Sequence, residues 1–211
     1  MKLKTAARIS RNVLAGVLPG LWMLTLSPVQ RSSHADFDMS GYLLPFVAAA
    51  LAGGIPGFIA LFEGLREGVV RGFSAAAVAA ATGVIAWLLP LFVILLLLSV
   101  GRDSAIVDIV AWIGNAGAIG WASAIAVVTA RAACRMPQPS KPRTYYISGA
   151  LGGLIAGAIS ALINWAFELA WGHDESLFVV SILLGSCTGA MLAIADTRAE
   201  SRAQSQGSAT P

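Results

Sequence analysis

Six apolar blocks, at 13–29, 42–62, 73–99, 105–130, 147–171 and 177–195, occupy most of the chain, and its basic residues fall between them. Each block is near the roughly 20 residues that an α-helix needs to cross a hydrocarbon core. Backbone in lipid must satisfy its own hydrogen bonds, which leaves helices or closed barrels. Continuous apolar runs, without strict alternation, select the helix. The predicted fold class is an all-α integral membrane protein, a polytopic helical bundle with six transmembrane helices.

The charges orient that bundle. With the amino terminus in the cytoplasm, Lys2, Lys4, Arg8, Arg11, Arg66, Arg71, Arg131, Arg135, Lys141, Arg143, Arg198 and Arg202 lie inside, and only Arg31 and Arg102 lie outside. Short loops rich in Lys and Arg stay cytoplasmic. The expected location is the cytoplasmic (inner) membrane of a bacterium, with both termini cytoplasmic. The outer face carries Asp36, Asp38, Asp103, Asp174 and Glu175 with both histidines, His34 and His173. Tyr42, Trp112, Trp165 and Trp171 fall towards the outer interface, Tyr145 and Tyr146 towards the inner one, and Trp87 and Trp121 nearer mid-span.

Composition agrees. Residues are 57% hydrophobic and 12% charged, the latter about half of the ~25% usual in soluble domains. The net charge of +3 does not imply nucleic acid. The bases flank spans, where they meet anionic headgroups, and no aromatic–basic interleaving accompanies them. The bilayer is the expected partner, with a homo-oligomer or a membrane-complex partner beside it.

Three regions follow: a basic cytoplasmic leader (1–12), a single transmembrane helical domain (13–195) and a polar, disordered cytoplasmic tail (196–211). The leader and first block also resemble a signal peptide ending near Ser33-His34-Ala35, and cleavage there would leave five spans. Arg31 inside the cleavage region and the length of the block favour a retained span. The third block, 73–99, would be about 40 Å long as a helix, against a core of about 30 Å. It is expected to tilt, or to kink near Pro90.

Glycines recur at helix-contact spacing: Gly53 with Gly57, Gly149 with Gly153 and Gly157, Gly185 with Gly189, and Gly16 with Gly20. Small residues four apart let helix backbones approach closely. Residues 51–57 and 151–157 are weakly similar, which a three-plus-three inverted repeat would produce; compositional chance produces it as well.

Ionisable side chains within spans are costly and point to function. Asp108 and Asn115 are two turns apart on one face near Trp112; Ser160, Asn164 and Glu168 form a stripe four residues apart. Together they make a candidate polar pathway opening outward. Asp108 and Glu168 lie near the interface, away from the midplane where a transport site is expected, so contact with headgroups and water is the simpler explanation of them. His34 with Asp36 and Asp38, and His173 with Asp174 and Glu175, fit solvated loops better than a zinc or manganese site. No histidine lies within a span to ligate haem. Neither a metal nor a cofactor is expected.

No P-loop, Gly-x-Ser-x-Gly, His-Glu-x-x-His or Cys-x-x-Cys motif occurs. No His or Lys lies within a span to activate a serine. Enzymatic chemistry is therefore not indicated. The expected function is passage of a small solute or ion, as a transporter or channel-like protein. The alternative is a non-catalytic membrane subunit or an assembly or scaffold factor.

Overall fold

The computed structural model describes residues 6–19, 21, 40–100, 105–139, 141–168 and 174–207. Among them the chain is all-helical, without strands. Residues 6–19 are helical (α1), and five long helices follow: α2 (Ser40–Gly64), α3 (Val69–Val100), α4 (Ala105–Ala133), α5 (Pro142–Glu168) and α6 (Asp174–Gly207). The helices α2 to α6 are each long and apolar enough to cross a membrane. Most of the first apolar block, 13–29, and His34 and His173 lie outside the described residues.

Connections are short, so consecutive helices pack as antiparallel neighbours. α2 lies on α3, α3 on α4, α4 on α5, and α5 on α6. α4 also touches α2 and α6, which makes it the central helix. α1 sits against α2 and α6: a Cβ on Gly54 would meet Pro19, and one on Gly185 would meet Gly16. Arg11, Glu63, Arg131, Tyr145 and Asp196 all lie at one end of the bundle, called here the basic end.

Helix ends are set locally. Between α2 and α3 the chain turns through Gly68 at φ 135°, a conformation glycine adopts at little cost. α4 ends with Met136 N–H bonded to the Arg131 carbonyl (2.8 Å) and Arg135 N–H to the Ala132 carbonyl (3.2 Å). That is a Schellman closure, with Arg135 at φ 54° in the left-handed position. Pro142 opens α5, where its missing N–H is harmless. α3 is one helix through Pro90.

The core is built from small residues. Ala15, Ala52, Ala79, Ala122, Ala126 and Ala193 are fully buried, with Ile55, Ile59, Trp87 and Leu192 filling between them. Several glycines lie in these seams. Gly53 and Gly57 face Ala80 of α3; Gly149, Gly153 and Gly157 face Gly120, Ala116 and Ile113 of α4; Gly185 and Gly189 face Gly16 and Asn12 of α1. Inverted symmetry pairing α2 with α5 would place Gly153 on α6, as Gly53 lies on α3. Gly153 lies on α4 instead.

One expectation changes. The tail, read from composition as disordered from residue 196, continues α6 to Gly207. No glycine or proline interrupts residues 190–206, and Ala, Arg, Glu and Gln favour helix. Residues 6–12, within the segment read as a basic leader, are helical.

Candidate functional site

Two features stand inside the bundle. The first is an ion cluster at the basic end, centred on Arg131 in the last turn of α4. Its Nε and Nη2 donate to Glu63 Oε2 and Oε1 at 2.8 and 2.7 Å. Its Nη1 and Nη2 donate to Asp196 Oδ1 and Oδ2 at 3.1 and 2.7 Å. One planar guanidinium thus grips two carboxylates, each at two points, a geometry lysine cannot copy. Arg131 is 6% exposed and Asp196 8%.

Two further groups complete the cluster. The Tyr145 ring, in the first turn of α5, lies with its centroid 5.2 Å from Arg131 Cζ, within cation–π range. Arg11 of α1 places Nη2 3.5 Å from Glu63 Oε1 and donates to Asn12 Oδ1 at 3.2 and 3.1 Å. Burial pulls the Arg11 guanidinium below its ordinary pKa, with Arg66, Arg8 and Arg131 adding to it; Glu63 opposes them. Two guanidiniums balance two carboxylates, so the ionised cluster is neutral. It joins α1, α2, α4, α5 and α6.

Three buried polar atoms have no protein partner: Asn12 Nδ2 and Tyr145 Oη, both next to this cluster, and Thr188 Oγ1, two turns away from Asp196 on α6. Buried polar groups are nearly always bonded, so three orphans mark an unusual interior.

The second region is a cavity of about 40 Å³ between α2, α4 and α6, lined by Val47, Leu51, Trp112, Asn115, Ser181 and Leu184. Typical sites for drug-sized ligands occupy roughly 300–1,000 Å³; this one has room for a small ion or a few waters. Asn115 Oδ1 accepts a 2.8 Å bond from Trp87 Nε1. Trp112 Nε1 makes a long 3.5 Å contact with Ser160 Oγ. Ser160 in turn donates to the Ala156 carbonyl at 2.6 Å within α5.

Three buried polar residues on α6 lie along the length separating the two regions: Ser181, Thr188 and Asp196. Steps of seven and eight residues keep them near one face, about 10–12 Å apart along the axis.

Of the residues in the predicted polar pathway, Asn115 lines the cavity and Ser160 is buried on α5 beside Trp112. The side chains of Asp108, Asn164 and Glu168 lie outside the described residues. The ion cluster was not anticipated. Arg131 read as a cytoplasmic loop charge, Asp196 as the start of a tail and Tyr145 as an interfacial aromatic, while Glu63 falls just past the apolar block 42–62. Tyr145 is in fact buried, at 1% exposure, against Arg131. The available signal was opposite charges abutting the same end of three apolar runs. Among the described residues no group of three or more His, Cys, Asp or Glu side chains is placed to hold a metal ion. No protein-family model, curated protein or solved structure matches the chain.

Proposed function

We propose that this chain is a multi-pass protein of a bacterial cytoplasmic membrane that passes a small ion or small solute along the interior of α2, α4 and α6. In this reading the block 13–29 is a sixth span, both termini are cytoplasmic, and the basic end is the cytoplasmic end. The observation that carries it is the pairing of a small, mainly apolar cavity, into whose lining Asn115 and Ser181 bring polar groups, with a buried ion cluster at the basic end. Buried charge inside a helical membrane bundle is expensive and usually marks a pathway. The cavity volume favours a single small ion over a metabolite. The cluster closes the basic end in the state described, so passage requires it to open.

The test is thiol reaction with Ag⁺, a probe small enough for the cavity. In protein whose Cys134 and Cys187 are replaced by serine, Ser181→Cys and Asn115→Cys are each introduced and the protein is reconstituted into vesicles. Both are expected to react far faster than Ala124→Cys, which lies in the sealed core. Rates as slow as that control would remove the pathway.

A second reading, a non-catalytic subunit, draws on α3, the least covered helix, which exposes Ile85, Leu88, Leu89, Phe92, Val93, Leu95 and Leu96. Lipid covers such a face equally well. Purification in mild detergent separates the two, since a subunit retains a stoichiometric partner.

A further inference from the structure

We propose that the ion cluster at the basic end is a proton-exchange site, with the proton taken up and released on the carboxylates of Glu63 and Asp196 around Arg131. This rests on the reading of the chain as a small-ion carrier and names the ion. The charge balance carries it first. Arg131 neutralises only one of the two carboxylates it grips; the second depends on Arg11, whose contact with Glu63 is the longest in the cluster at 3.5 Å. A carboxylate that loses Arg11 is left as a buried, unpaired anion, and a proton restores neutrality without adding volume.

The alternative cation is a metal ion such as sodium, and the geometry argues against it. All four carboxylate oxygens already face guanidinium N–H groups. A hard cation needs about six oxygen ligands and would sit against two arginines. A proton binds one oxygen: as it joins Asp196, one Arg131 N–H bond is given up and the pair with Glu63 remains.

The second observation is the set of orphaned polar atoms. Tyr145 Oη and Thr188 Oγ1 are buried hydroxyls without protein partners, and each can both donate and accept. Tyr145 lies on Arg131; Thr188 lies between Asp196 and Ser181 on the buried face of α6. Under this proposal Tyr145 and Thr188 serve as relay groups for the proton. The charged and titratable groups facing the site are Arg11 from α1, Glu63 from α2, Arg131 from α4, Tyr145 from α5 and Asp196 from α6, with Arg8 and Arg66 acting on Arg11 from outside. The only titratable side chain of α3 is Arg71, which is exposed and paired with Glu67 at 2.8 Å.

The experiment uses the full chain in vesicles of phosphatidylethanolamine and phosphatidylglycerol, with lumenal pyranine reporting proton entry under a valinomycin-clamped potential. Wild type is expected to acidify the lumen faster than empty vesicles, and Glu63→Gln or Asp196→Asn to slow entry about ten-fold or more. Arg11→Gln, at the rim of the cluster, keeps the test open should those variants misfold. It is expected to move half-maximal entry to higher pH, because a cation competing with the proton is gone. Infrared difference spectra on acidification should show a carboxylic-acid C=O band that is weaker in Glu63→Gln/Asp196→Asn. No proton entry, entry driven equally by a sodium gradient, or profiles unchanged in all variants would overturn the proposal. Rapid Ag⁺ reaction at Ser181→Cys would then still support a pathway, one for another ion.

Discussion

Arg131 and Asp196 meet through two hydrogen bonds, Nη1–Oδ1 at 3.1 Å and Nη2–Oδ2 at 2.7 Å, where the end of α4 crosses buried α6. They stand 65 residues apart in the chain. The same guanidinium holds Glu63, 68 residues away. A buried charge that loses its partner costs far more than the pair contributes. Arg131→Met should therefore destabilise the protein by about 3–5 kcal/mol, and Arg131→Lys should not restore it. Glu63→Leu/Arg131→Met/Asp196→Leu, which leaves no charge unpaired, should recover much of the loss. Thermal unfolding in detergent measures all three. An Arg131→Met variant as stable as wild type would show that the cluster does not hold the basic end.

Close helix approach makes a second prediction. A Cβ at Gly153 would run into the Ala116 carbonyl of α4, whereas one at Gly114 would meet nothing within 4 Å. Gly153→Ala should cost about 1–3 kcal/mol by overpacking. Gly114→Ala should be neutral, or stabilising by up to about 1 kcal/mol, from helix propensity. Opposite signs are expected in the same melting assay; equal shifts would contradict the packing.

Arg135 occupies the left-handed position that closes α4, at φ 54°. A side chain there costs roughly 1 kcal/mol that glycine avoids. Arg135→Gly should raise the melting temperature, while Ala132→Gly, still helical, should lower it by about 0.5–1 kcal/mol in stability. A fall in stability for Arg135→Gly would mean that its side chain contributes more than its backbone costs.

Trp87 is 2% exposed, and its indole N–H is held by Asn115. Asn115→Leu orphans that donor, at about 1–3 kcal/mol. In a Trp87→Phe background the same substitution should cost much less. A double-mutant cycle with coupling near zero would remove the bond from the account.

The spans were legible because length and unbroken apolarity suffice to mark a helix of this kind, and α2 to α6 fall where the blocks at 42–62 through 177–195 lie. The ion cluster was not, for a definite reason. Hydropathy adds residues along one helix, and a charge beside Phe62, Ala130 or Ala195 ends the sum and reads as solvated. Whether Glu63, Arg131 and Asp196 instead satisfy one another depends on three helix ends meeting in space. Tyr145 shows the same limit: an aromatic at a span end reads as interfacial until its neighbour is Arg131. Asn115 was legible as an intramembrane polar group, but not its engagement by Trp87.

The most direct test of the account concerns Thr188, buried on α6 between the cavity and the cluster. Thr188→Cys, in protein lacking Cys134 and Cys187, is exposed to Ag⁺ from one side of the vesicle at a time. Reaction is expected to be faster from the side opposite the basic end, and Asp196→Asn should speed reaction from the basic end. Reaction at equal rates from both sides, unaffected by Asp196→Asn, would contradict a pathway closed by Glu63, Arg131 and Asp196.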